Sequence, residues 1–260
     1  MRMLSNRPGQ ANANIPALLV AVFLAAASVR AAPAEDGQLA RSILEKADQI
    51  RFPPESFQVD VSIATTSQGQ QTETRKYRIL SKGNENTVVM ILEPASERGQ
   101  IMLMKGRDLW VFMPSVSQPV RLSLAQRLTG QVANGDLARA NFTGDYDPKL
   151  LRTETIGGEN YYILELNAVN RSVTYHRVIF WVREGSYWPY KAEFYSLSNR
   201  LLKTCVYQNF QTMAGKPRPT RLLMEDALRK GEQSVLEYNS MKLRDLPDKV
   251  FTKEYLKKLE

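Results

Sequence analysis

The sequence predicts a mainly β, α+β chain built on one antiparallel sheet, curved far enough to make a barrel or half-barrel. Two observations carry this. About ten short apolar or alternating runs recur between Gly, Pro, Asn and Ser turns, without the strand–helix–strand rhythm of a parallel sheet. The second is the stretch over residues 87–122, TVVMILEPASERGQIMLMKGRDLWVFMPSVSQPVRL, whose three apolar runs (88–92, 101–104 and 109–113) are apolar at odd and even positions alike. A sheet with one wet face alternates apolar and polar residues, so this meander must be covered on both faces, by packed helices or by an apolar guest. Four of the nine methionines, Met90, Met102, Met104 and Met113, fall here. Their adaptable side chains tilt the reading towards a cavity.

The elements follow in order. Residues 1–34 carry Arg2 and Arg7, an apolar segment over 15–29 (IPALLVAVFLAAASV) and the small residues RAAPA before Glu35 and Asp36. This is the pattern of a cleaved secretory signal peptide, the apolar run being shorter than the roughly 20 residues a membrane span needs. Cleavage is expected after a small-x-small site such as Ala32-Pro33-Ala34, with no cysteine following to accept a lipid. The remaining chain, 35–260, reads as one domain that is soluble and exported. In DGQLARSILEKADQIRF, Leu39, Ile43, Leu44, Ala47 and Ile50 form a helical stripe, with Asp36 as N-cap and Pro53-Pro54 as stop. Residues 57–65 alternate and pair with 71–80 as an opening hairpin. After the meander, Leu124, Leu128 and Val132 recur at four-residue spacing, followed by a Gly135-Asp136 break and a short helical signal at Leu137. A broken helix–loop of this length between strands reads as a lid or as a surface helix completing the core. Strands are then expected at 153–156, 161–166, 174–182, 189–196, 200–210, 219–225 and 233–243, with a terminal helix over 252–259.

Composition narrows the chemistry. The 260 residues are 43% hydrophobic and 24% charged, as in a globular chain with a real core. The formal charge is +8; without Arg2, Arg7 and Arg30 of the leader, 32 basic residues face 27 acidic ones, an excess of +5. That scattered excess suits an acidic partner or an anionic lipid surface and lacks the clustered stripe of a nucleic-acid reader. One cysteine, Cys205, excludes an intramolecular disulfide and a cysteine metal cluster, and its apolar strand makes it a buried, inert thiol. His176 is the single histidine and reads as a mid-strand sheet residue. No GxSxG, GxxxxGK[ST], GxGxxG or HExxH motif occurs. Asp145 and Asp147 are explained by turn chemistry beside Pro148, and Glu225-Asp226 by a solvated strand end. No catalytic residue, metal or cofactor is expected.

Three stretches then carry a resemblance: LEPASERGQIMLMKGRDLWVFMPSVSQPVRLS, YWPYKAEFYSLSNRLLKTCVYQNFQTMAGKPRPTRLLMEDA and VLEYNSMKLRDLPDKVFTKEYLKK. The sequence resembles the outer-membrane lipoprotein-sorting protein family, exported relatives of the LolA and LolB carriers, over roughly residues 39–258. The resemblance implies a half-open antiparallel β-barrel with helices closing its concave face. It also implies a periplasmic carrier that passes lipid or lipoprotein acyl chains towards the outer membrane. An inner-membrane transporter and an outer-membrane acceptor are the implied partners, with transient membrane contact. On strand alternation, Met90, Leu92, Met102, Met104, Leu109, Val111, Met113, Ile179 and Trp181 are expected to line the groove. Trp110, Phe112 and Phe180 are expected under helices, and Leu124, Leu128, Val132 and Leu137 on the lid. The competing reading is a non-carrier: an exported scaffold or accessory subunit of a membrane lipid transporter, its sheet filled by its own helices.

Overall fold

The structure is a computed structural model that describes residues 33–83 and 85–256. The expected leader lies outside them except for its last two positions, which begin helix α1 (Pro33–Arg51). The helix therefore starts before Asp36, the expected N-cap.

Thirteen strands form one antiparallel sheet whose order follows directly from hairpin connections. The first six, β1 (Phe57–Thr66), β2 (Glu73–Lys82), β3 (Asn86–Glu93), β4 (Ile101–Lys105), β5 (Asp108–Phe112) and β6 (Val120–Leu122), each pair with the next. So do the seven strands of the second meander. These are β9 (Tyr146–Ile156), β10 (Glu159–Ala168), β11 (Arg177–Arg183), β12 (Pro189–Tyr195), β13 (Leu201–Met213), β14 (Lys216–Asp226) and β15 (Gln233–Leu243). The two meanders join where β1 pairs with β15, so β6 and β9 are left as the sheet's two edges and it does not close. His176 falls just before β11 rather than within a strand, and is exposed.

Residues 123–145 carry the chain from one edge to the other and cover the inner face as they go. They were expected to hold a broken helix. Instead they form a small hairpin, β7 (Arg127–Thr129) with β8 (Val132–Ala133), followed by the one-turn helix α2 (Asn134–Ala138). The hairpin is seated closely. A Cβ on Gly130, whose φ is +48°, would lie 2.3 Å from Ser234 Oγ and 2.4 Å from Thr65 Oγ1. Only glycine combines that backbone with that approach.

The predicted two-sided burial of the meander is present. Val59, Val61, Tyr77, Ile79, Val89, Met102, Met104 and Leu109 face inwards and share one cluster with α1, the 123–145 segment and the inner face of the second meander. On the outer face, Leu80, Val88, Ile101 and Leu103 pack against the C-terminal segment, through Leu246 just before a short 3-10 turn (Asp248–Phe251), Val250 and Phe251 of that turn, and Leu256 of α3 (Lys253–Leu256). Helices thus cover the sheet from both sides. Phe251 is 1% exposed at the centre of this outer cover. Phe251→Ala is expected to cost about 3–5 kcal/mol through lost transfer energy and the cavity left behind. A denaturant midpoint unchanged from wild type would show that the C-terminal segment does not seal the sheet.

Candidate functional site

The inner face is apolar except for a few buried charges, most of which hold the 123–145 segment in place. Lys203 occupies an inward position of β13, two residues before Cys205 and four before Tyr207. Its Nζ donates to Asp136 Oδ2 at 2.7 Å and to the Gln131 carbonyl, and lies 5.0 Å from the Tyr175 ring centre. Asp136 in turn accepts the Tyr175 hydroxyl at 2.8 Å and the Ala133 N–H at 2.8 Å, which ties off the start of α2. Gln131 N–H donates to Ser234 Oγ at 2.9 Å. One cation of the sheet therefore grips both the hairpin turn and the helix of the plug.

The plug's exit is clamped at the other end. Asp145 is 2% exposed and accepts two bonds from Arg139, at 2.5 and 2.8 Å, and one from Arg107 at 3.0 Å. Arg139 also donates to the Gly106 carbonyl, so the β4–β5 turn and the start of β9 are joined through guanidinium groups. On α1, Asp48 accepts the backbone N–H groups of Phe142 and Thr143 at 2.9 and 2.7 Å, while its second oxygen takes Arg51. Arg51 lies 4.2 Å over the Phe142 ring. Arg218, 1% exposed, donates to the Gln49 and Ile50 carbonyls, satisfying the open end of α1 where the helix dipole favours a cation.

The interior is nearly full. A cavity of about 20 Å³ remains between Arg51, Asp136, Arg139, Tyr175 and Tyr207, room for a single water. Burial pushes the Cys205 thiol up to about 12, which removes it as a nucleophile at neutral pH. Tyr175 is likewise raised well above its usual range, first by burial and then by Asp136, so it stays a hydrogen-bond donor.

The expected groove residues divide between the two faces. Met102, Met104, Leu109 and Val111 are on the inner face with the plug, and Met113 follows β5 half-buried. Met90 packs in the outer cluster under the C-terminal segment, and Leu92, half-buried, shares its strand parity. Ile179 and Trp181 also face outwards, in a separate cluster with Tyr161 and Ile163. These four cannot line one groove with Met102 and Met104. The reason is register: Val89, not Met90, is the partner of Met102 across β3 and β4. Phe180, expected under helices at the same parity as Trp110 and Phe112, is fully buried on the inner face in the cluster that holds α1, whereas Phe112 packs in the outer cluster and Trp110 lies 5.3 Å from Lys253 Nζ. Leu124, Val132 and Leu137 are buried against the inner face, with Leu128 packed beside them. Missed altogether were Asp48, Arg51, Asp136, Arg139 and Lys203. Their signal was available as charge at an apolar position, since Asp48 and Arg51 continue the Leu44–Ala47 stripe of α1 and Lys203 shares the parity of Cys205.

With this geometry in view, the comparisons are decisive for family. The crystal structure of a LolA superfamily protein from Nitrosomonas europaea is 67% identical, covering 83% of this chain and 98% of that one, with a TM-score of 0.81. The chain belongs to the LolA superfamily. The same fold is shared with a DUF1329 family protein from Desulfovibrio piger (22% identity, TM-score 0.73). It is shared too with a putative outer membrane lipoprotein-sorting protein domain from Vibrio parahaemolyticus (19%, 0.71). Each comparison covers 85% of this chain and 99% of the other. A family model described as an uncharacterized protein matches residues 83–258. No curated protein matches. As a LolA superfamily member, the chain has an open antiparallel sheet, and no helix among the described residues is long and apolar enough to cross a membrane.

Proposed function

We propose that this LolA superfamily chain is an exported, periplasmic carrier that holds the acyl chains of a lipid or lipoprotein against its inner sheet face and passes them towards the outer membrane. The observation that supports this most is the plug. Part of the apolar inner face is covered by a short crossover segment fastened at both ends by a few ion pairs, beside the helix α1. Acyl chains entering between Met102, Met104, Leu109 and Val111 on one side and Leu124, Leu128, Val132 and Leu137 on the other would gain roughly 0.8 kcal/mol per methylene removed from water. No covalent step, metal or cofactor is needed. The plugged form is the cargo-free state, and cargo loads by binding the open form better than the closed one. An inner-membrane transporter and an outer-membrane acceptor supply the differential affinity at each end of the journey.

A second reading, an exported scaffold or transporter subunit, draws on the full interior, whose cavity beside the plug is about 20 Å³. Uptake of a fluorescent fatty acid separates the two. The carrier is expected to give a saturable signal that unlabelled fatty acid displaces. A flat titration at concentrations well above those that saturate ordinary lipid carriers would leave the scaffold standing.

A further inference from the structure

The two most exposed large apolar side chains among the described residues are Leu197, at 64%, and Leu228, at 60%. They sit on neighbouring tips at one end of the sheet. Leu197 is in the β12–β13 turn and Leu228 in the β14–β15 turn, and the two turns are bridged by the Ala227 N–H donating to the Leu202 carbonyl at 3.0 Å. The β10–β11 loop lies at the same end, since the His176 N–H donates to the Tyr195 carbonyl, and it carries Val169, 44% exposed. Each tip repeats one pattern: an exposed apolar residue followed within three positions by a cation. The pairs are Val169 with Arg171, Leu197 with Arg200, and Leu228 with Arg229 and Lys230.

The charge at this end is unbalanced. Arg171, Arg200 and Lys230 make no side-chain hydrogen bond or ion pair among the described residues, and neither does Arg127 of the plug hairpin. Of the nearby acids, Asp226 accepts the Leu228 and Arg229 N–H groups within its own turn and Glu232 pairs with Arg229 at 3.3 Å, while Glu225 and Glu73 are exposed at the adjoining strand ends and offset part of the positive charge. The adjoining β1–β2 turn, residues 67–72, is uncharged. Between the plug hairpin and these tips is an open cleft of about 290 Å³ lined by Arg127, Arg200, Lys203 and Arg229 against the single carboxylate Asp226, with Leu202 and Leu228 in its apolar wall.

We infer that this end of the molecule docks on an anionic lipid surface. The charge is complementary, and the arrangement of the apolar groups decides between a membrane and a protein. Single leucines on separate polar turns form no contiguous patch of the kind a rigid protein partner needs. Each can enter a fluid headgroup layer on its own, with the flanking cations at the phosphates. Docking sets the plug hairpin and the cleft against the lipid. The inference builds on the carrier reading, for which contact between the groove's mouth and lipid is useful, but it is tested separately.

The experiment is flotation of the protein, purified from cells expressing the full chain, with phosphatidylcholine vesicles or with vesicles of phosphatidylcholine and phosphatidylglycerol in equal parts. Binding is expected to the mixed vesicles alone and to fall with added salt. Leu197→Ser with Leu228→Ser is expected to reduce it about tenfold or more, and Arg200→Glu or Lys230→Glu at least about fivefold each. Both leucines are solvent-exposed, so the thermal melt is expected to be unchanged. Leu243→Ser, at a leucine 49% exposed at the opposite end of β15, is the control and should bind as wild type does. Equal binding to neutral vesicles, or binding untouched by the tip variants, overturns the inference. So does a salt-independent self-association removed by the leucine variants, which would assign the surface to a second copy of the chain. Vesicle binding can fail while fatty-acid uptake persists, so this inference can fall with the carrier reading intact.

Discussion

Lys203→Met is expected to lower stability by about 3–5 kcal/mol, because it leaves Asp136 with its charge buried and its ammonium partner gone. Lys203 and Asp136 side chains are 6% and 9% exposed, so solvent cannot screen the loss. The Gln131 carbonyl loses its donor at the same time, while the Tyr175 hydroxyl keeps its bond to Asp136. The effect should be greatest in the plug, so amide exchange of Val132 to Leu137 should accelerate more than that of the β13–β14 core. In the carrier reading the loosened plug also admits a fluorescent fatty acid faster. Lys203→Met together with Asp136→Leu removes both charges and is expected to recover much of the stability while leaving the plug loose. A melt of the single variant that matches wild type would sink the latch account.

Met104→Gln is expected to cost about 2–5 kcal/mol. The Met104 side chain is fully buried, opposite Leu109 and in the inner cluster shared with α1 and the plug. Replacement loses apolar contact and buries a polar amide at a position that is 0% exposed. Strand alternation alone had pointed to a groove wall facing a void, where such a change would spare the fold and weaken only lipid binding. In the plugged form Met104 faces packed protein instead, so the unfolding midpoint should fall along with fatty-acid uptake. A variant with wild-type stability and lost uptake would show that the inner face stays open in solution, contrary to the plugged state described above.

Strand existence was legible because it rests on local alternation and on turn residues, and all of the predicted strands are present in some form. Boundaries moved most where polar residues continue a ladder, as in β9, which begins at Tyr146 rather than at position 153. The double-sided burial of residues 87–122 was legible for the same reason: a run apolar at both parities has no wet face. The plug was not. Leu124, Leu128 and Val132 are four apart, and four residues return a side chain to about the same side of a helix and to the same side of a strand, so that spacing could not choose between them.

The sequence by itself determined that a mostly antiparallel sheet would have apolar residues on both sides. Which residues share a side was decided by tertiary structure. A strand's own pattern says which of its residues face together, but not which face of the neighbouring strand they join. That depends on the pairing of Val89 with Met102 and of Ile163 with Trp181, and a slip of one residue exchanges the two faces. The buried charges were likewise beyond local pattern. Lys203 and Asp136 are tolerable inside only because distant segments bring each its partner, and Asp145 takes Arg107 of the β4–β5 turn besides its neighbour Arg139; these meetings exist only once the chain has crossed from β6 to β9.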